Sequence, residues 1–214
     1  MSLKISELFI SIQGESRFAG LPCFFIRTTG CNLNCSYCDT QYARQNGNDL
    51  SLKDILHKVD QWPGNLVEIT GGEPLLQEEI YDLCRELLAR GKQVLIETNG
   101  SLDIGKLPPE VIRIMDVKCP DSGMASYNCL PNLAKLSGKD EVKFVIAGYD
   151  DYRWAGRFIA DNLLIGNVRI LFSTVFAKLA PAQLAEWMLA DKLTNVRLQL
   201  QLHKYLWPNK TRGV

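Results

Sequence analysis

Short apolar runs alternate along this chain with segments of helical period. "ISELFISI", "CFFIRT", "NLVEIT", "KQVLIETNG", "VIRIMDVK", "EVKFVIAG" and "NVRILFST" have the apolar, β-branched and aromatic content of strands. Between several of them lie helical patterns. "SLKDILHKVDQW" predicts a helix, with Ser51 and Asp54 spaced as a capping box. In "EEIYDLCRELLARG" the residues Ile80, Leu83, Cys84, Leu87 and Leu88 form one stripe, and Gly91 closes the helix. Two more helices are expected, one around Trp154, Phe158 and Ile159 and one from Pro181 to Asp191, where Pro181 suits a first turn. The last strand is expected over "NVRLQLQLHKY". Its alternation puts Arg197, Gln199, Gln201 and His203 on one face, which reads either as a pocket wall or as a solvent-facing edge.

This rhythm predicts a parallel α/β sheet. A closed (β/α)8 barrel takes about 250 residues, and the chain has 214. The expected fold is therefore α/β, an incomplete, open (β/α) barrel, in a single domain over residues 1–214. No repeat, low-complexity tract or linker interrupts the pattern.

Composition narrows the function. The 24 basic and 24 acidic residues cancel, so the basic surplus of a nucleic-acid binder is missing. No apolar run reaches the ~18 residues of a membrane span, and "MSLKISELFISIQGE" lacks a signal-peptide layout. A soluble, cytoplasmic protein is expected, with no nucleic-acid or membrane partner. In a reducing compartment thiols serve metals or packing rather than disulfides.

Three of the seven cysteines, Cys31, Cys35 and Cys38, stand in "GCNLNCSYCDT". Three thiolates on one loop can hold three irons of a [4Fe–4S] cubane, which ordinarily takes four cysteines. The fourth iron is then open to a ligand. A zinc site wants four ligands, usually in paired modules, and the chain offers only His57 and His203 beyond its cysteines. Three unrelated buried thiols are the plainest alternative, set against polar neighbours in a Gly-bounded loop. Cys84, on an apolar stripe, and Cys23, opening an apolar strand, are assigned to the core.

With Tyr37 before the third cysteine, Cys-x3-Cys-x2-Cys resembles the signature of the radical S-adenosylmethionine (radical SAM) superfamily. "TGGEP" at 70–74 and "ETNG" at 97–100 resemble its SAM-binding strand ends. "SIQGES", "FIRTTGCNLNCSYCDT", "TGGEP", "ETNG", "DVKCP" and "QLHKY", in this order, resemble the 7-carboxy-7-deazaguanine synthase family over nearly the whole chain. The resemblance implies a carbon–nitrogen lyase of radical SAM type. It would take 6-carboxy-5,6,7,8-tetrahydropterin to 7-carboxy-7-deazaguanine with loss of ammonia, for queuosine and other 7-deazapurines. The implied cofactors are a [4Fe–4S] cluster on Cys31, Cys35 and Cys38, SAM, and magnesium on Thr40. The implied SAM contacts are Tyr37, Cys38, Asp39, Gly72, Glu73, Asn99, Cys119, Pro120 and Asp121. The implied substrate contacts are Ile12, Gln13, Gly14, Arg27 and Thr70. Bidentate pairing with a carboxylate gives Arg27 a physical role; otherwise it is a strand-end charge, and Thr40 is otherwise a turn residue. An electron donor such as flavodoxin or ferredoxin and a homodimer are also implied.

Two other readings share the motif. A glycyl-radical-enzyme activase pairs a similar triplet with Gly-Gly-Glu-Pro, but typically follows its third cysteine with His-Asn-Pro, where this chain has Asp39, Thr40 and Gln41. An electron-transfer or sensing Fe–S protein would want a fourth cysteine ligand near the cluster. The segment "WPNKTRGV" after the last expected strand receives no role.

Overall fold

The computed structural model describes residues 1–214. Strand β1 (Ser2–Ile12) pairs antiparallel with β2 (Pro22–Thr28), and β3 (Asn48–Ser51) pairs antiparallel with the other edge of β1. From β2 onward every pairing is parallel. β4 (Leu66–Gly71), β5 (Gln93–Thr98), β6 (Ile112–Val117), β7 (Glu141–Ile146), β8 (Arg169–Thr174) and β9 (Val196–Leu198) follow in chain order. The nine strands form one sheet, ordered β3-β1-β2-β4-β5-β6-β7-β8-β9. The two edges do not meet, so the barrel is open, as expected.

The helices form where the pattern placed them. In α1 (Leu52–Asp60) the Ser51 hydroxyl accepts from the Asp54 amide at 3.1 Å and donates to the Asp54 carboxylate at 2.6 Å. α2 (Glu79–Ala89) ends on Gly91 at φ +72°, with the Lys92 amide donating to the Leu87 carbonyl. α3 (Tyr149–Asp161) and α4 (Pro181–Ala190) cover the second half, with Pro181 in the first turn of α4. Only short 3-10 turns join β5 to β6 and β6 to β7.

One expectation fails. The last strand stops after three residues, and α5 (Leu202–Leu206) replaces its second half. Arg197 stays exposed on the sheet edge, while Gln199 is buried. The Gln199 amide still donates to the Phe172 carbonyl at 2.8 Å, but the Leu202 amide then donates to the Gly14 carbonyl at 2.9 Å. The turn carries Gln201 to Glu15, to which it donates at 2.8 Å, and sets His203 against Gly14.

Alternation sorts each parallel strand onto two faces. Val67, Ile69, Val94, Ile96, Val142, Phe144, Ile170 and Phe172 face the helices and join one large apolar cluster. Cys23, Phe25, Leu66, Leu95, Ile112 and Ile114 face inward and close the bottom of the barrel. Above that floor the inward positions turn polar, and a cavity opens at the carboxyl ends of the strands. The apolar floor is what keeps this cavity one-ended.

Candidate active site

The three thiols share one wall of a cavity of about 450 Å³. Cys31, Cys35 and Cys38 are unpaired and half-buried. Their loop leaves β2 through Gly30 at φ +100° and is held from several sides. The Arg44 guanidinium donates to the Leu33 carbonyl at 2.7 Å, and the Ser36 hydroxyl donates to the Asp121 carbonyl at 2.7 Å. The Asn99 side chain donates to Asn32 at 3.1 Å. Burial raises both the Cys35 and Cys38 thiols above the ordinary value, so as thiolates they call for a cationic partner.

The Gly-Gly-Glu turn packs directly on this loop. The Glu73 amide donates to the Gly30 carbonyl at 2.8 Å. A Cβ at Gly72 would overlap the Gly30 carbonyl, and one at Gly71 would overlap Thr28. Only glycine permits so close an approach of two backbones.

The wider cavity lining includes Ile12, Gln13, Gly14, Arg27, Tyr37, Asp39, Thr40, Thr70, Gly72 and Asn99. Four expected SAM contacts lie elsewhere. Glu73 is fully buried and binds its own chain: its carboxylate accepts from the Asn99 amide at 2.7 Å, Thr98 Oγ1 at 2.8 Å and the Leu75 amide at 3.0 Å. Cys119 is fully buried in the outer core. Pro120 and Asp121 lie outside the lining; Asp121 pairs with Lys178 at 3.1 Å. The 119–121 segment braces the cysteine loop from outside, which "KCPD" gave no means of telling.

The residues that sequence reasoning missed are the inward charges. Glu68, Glu97, Asp116 and Lys143 each sit at an inward position of an otherwise apolar strand. The Lys143 ammonium bonds to Glu97, to Glu15 at 2.8 Å, and approaches Asp116 at 3.9 Å. Thr70 donates to Glu97 at 3.0 Å, and Gln201 donates to Glu15 at 2.8 Å. Gln13 accepts from the Glu15 amide at 2.7 Å and donates to Glu68. The loop at 12–15 and Thr70 are thus tied together through Lys143. Their signal was present: a lone charge in a parallel, doubly covered strand.

The charges settle into a definite pattern. Burial, then the nearby Glu97 and Glu15, push the Glu68 carboxyl well above its ordinary value, so it holds its proton. Burial opposes ionisation of Glu97, but Lys143 outweighs it and holds Glu97 low. Burial also opposes the Lys143 charge, and Glu15 and Glu97 overcome it. His203 is lowered by burial and is neutral at pH 7. At the rim, burial works against Asp39, yet Lys204 at 2.5 Å brings it down to about 2.

The Radical SAM superfamily model matches residues 25–117. A 7-carboxy-7-deazaguanine synthase of Chlorobaculum tepidum is 46% identical, covering 99% of this chain and 97% of the relative. One of Koribacter versatilis is 43% identical, over 99% and 100%. This chain belongs to the 7-carboxy-7-deazaguanine synthase family. The crystal structure of QueE from Escherichia coli shares the fold at a TM-score of 0.78 and 23% identity, over 94% of both chains.

The site fits the cofactors of a radical SAM enzyme. Three free thiols without a fourth suit a [4Fe–4S] cluster with one open iron. Gly72 and Asn99 both stand beside Cys31 on the cavity wall. No helix is long and apolar enough to cross a membrane.

Proposed function

We propose that this cavity converts 6-carboxy-5,6,7,8-tetrahydropterin to 7-carboxy-7-deazaguanine with loss of ammonia, in the cytoplasm, as a step toward queuosine-type 7-deazapurines. The observation that carries the reading is that Arg27 and the three thiols open onto the same cavity. Cys31, Cys35 and Cys38 would hold the cluster, with SAM against Tyr37, Cys38, Asp39, Gly72 and Asn99. Bound there, the two supply a hydrogen-abstracting carbon radical after one-electron reduction.

The chain's own residues then bind and orient. The Arg27 guanidinium pairs with the substrate carboxylate. The main chain of Ile12, Gln13 and Gly14 meets the pterin ring, and Thr70 fixes it from β4. A side chain at Gly14 would overlap His203, so glycine here lets α5 pack onto the 12–15 loop. Thr40, which donates to Asp39 at 2.9 Å, would offer its hydroxyl oxygen to a magnesium ion, a hard cation suited to carboxylate recognition. The apolar floor keeps water from the lower half of the site. A flavodoxin or ferredoxin delivers the electron, and the working form is a homodimer.

The test is an anaerobic assay with reconstituted cluster, dithionite, SAM, magnesium and 6-carboxytetrahydropterin, read by mass spectrometry. Product from the wild type and none from Cys31→Ala is expected. SAM cleavage without product would discard the substrate but keep the radical chemistry.

A further inference from the structure

Glu7 lies on β1 next to a β-bulge, in register with Arg27 on β2. The register shifts between Ile5 and Glu7, and a bulge of this kind re-aims the side chains beside it. The Glu7 carboxylate converges with three other elements. Its Oε1 accepts from Arg27 Nε at 2.7 Å and from the Tyr42 hydroxyl at 2.6 Å, and its Oε2 accepts from the Gly213 amide at 3.0 Å. Both oxygens are used, and both side chains of the ion pair are nearly buried, at 16% and 11% exposed.

With Nε on Glu7 and Nη2 donating to the Val214 carbonyl, this arrangement leaves Nη1 for the cavity. The Nη2 atom is 3.4 Å from the Val214 carbonyl, and the guanidinium carbon lies 5.3 Å from the centre of the Phe9 ring. Lys210, Thr211 and Val214 line the same cavity, and Arg212 stacks on Tyr42 at 4.6 Å. The segment that sequence reasoning left without a role is therefore a wall of the site. Its main chain is tied to the sheet through the Glu7–Arg27 pair, Gly213 to the carboxylate and Val214 to the guanidinium.

We propose that Glu7 is a positioning residue: it clamps Arg27 by Nε, so that Nη1 faces the substrate carboxylate, and latches residues 207–214 beside it, against Nη2. The proposal rests on the reading of Arg27 as the substrate's carboxylate partner, and it touches neither the cluster nor SAM. A carboxylate in this place holds one edge of the guanidinium, so that the arginine is directed rather than free.

The experiment uses reconstituted wild type, Glu7→Gln and Glu7→Ala, with steady-state kinetics and amide hydrogen exchange over residues 207–214. Glu7→Ala is expected to raise the KM for 6-carboxytetrahydropterin about tenfold or more, with the KM for SAM within about twofold, and to speed exchange at 207–214. Glu7→Gln keeps one acceptor oxygen, which can serve the Gly213 amide but then not Arg27 Nε as well, so it should restore slow exchange while recovering only part of the KM. A rise in both KM values together would mean general loosening and overturn the positioning role. Unchanged exchange in Glu7→Ala would overturn the latch. If the wild type makes no product from this pterin, the substrate reading fails, and the exchange comparison still decides the latch.

Discussion

The two faces of one sheet obey opposite rules. On β7, Phe144 and Lys143 are neighbours in sequence, 0% and 4% exposed, and point to opposite sides. Phe144 meets Trp154, Phe158 and Phe172 edge-on, at ring distances of 5.6–6.5 Å. Lys143 meets Glu15, Glu97 and Asp116. The outer face is held by non-directional packing, which tolerates a substitution of similar volume. The inner face is held by matched charges, each of which is costly to bury alone. What stabilises the fold and what shapes the site thus alternate residue by residue along the same strand.

The comparison breaks most sharply at this pair. Phe144→Ala should cost about 3–5 kcal/mol through the cavity it leaves, with no dependence on pH. Lys143→Met should cost a similar ~3–5 kcal/mol near neutrality, because two carboxylates lose their buried partner. Its loss should shrink toward acid. Glu97 is held low by Lys143, so the stability it contributes is present above its ordinary carboxylate range and fades as pH falls through its folded value. Urea denaturation of both variants at pH 3 and pH 7.5 checks this; parallel losses at the two pH values would mean the inner face is packed, not charge-matched.

A smaller effect is expected at Thr70, which is 5% exposed and donates to Glu97 at 3.0 Å. Thr70→Val keeps the shape and removes the donor. It should cost about 1 kcal/mol of stability while lowering kcat/KM for the pterin more than for SAM, measured by varying each in turn.

The smallest effect belongs to Glu68. Its raised carboxyl makes it a proton-bearing residue in the fold, so wild-type stability falls as pH climbs above the ordinary value of 4.5. Glu68→Gln is neutral at every pH and can still accept from Gln13. Near pH 5 it should melt within about 0.5 kcal/mol of wild type and become the more stable of the two as pH rises. Thermal melts across pH 5–8 read the crossing.

The sequence was legible wherever a local rule was decisive. Short apolar, β-branched runs marked β4, β5, β6, β7 and β8, Ser51 and Gly91 marked helix ends, and Cys-x3-Cys-x2-Cys marked the metal loop. It was silent where partners come from far along the chain. β3 has only four residues and exists because β1 offers it an edge. Glu73 matched a ligand motif, yet its oxygens are turned inward by Thr98 and Asn99, a contact that no spacing encodes. The strict alternation of "RLQLQLH" was a true polar signal attached to the wrong element. Gln201 and His203 do reach the cavity, but from α5. Lys143 and Glu15 are 128 residues apart and define each other only after folding.

The cavity is assembled from stretches far apart in the order of synthesis. Cys31, Cys35 and Cys38 leave the ribosome early, whereas Lys143, Gln201, His203 and the 207–214 wall follow much later. Domains are built from the amino end forward, so the nascent chain carries three thiols with no wall around them. Thiols in that state are reachable by oxidant and metal alike. The order of the sequence thus makes the last wall, not the cysteine loop itself, what shelters them.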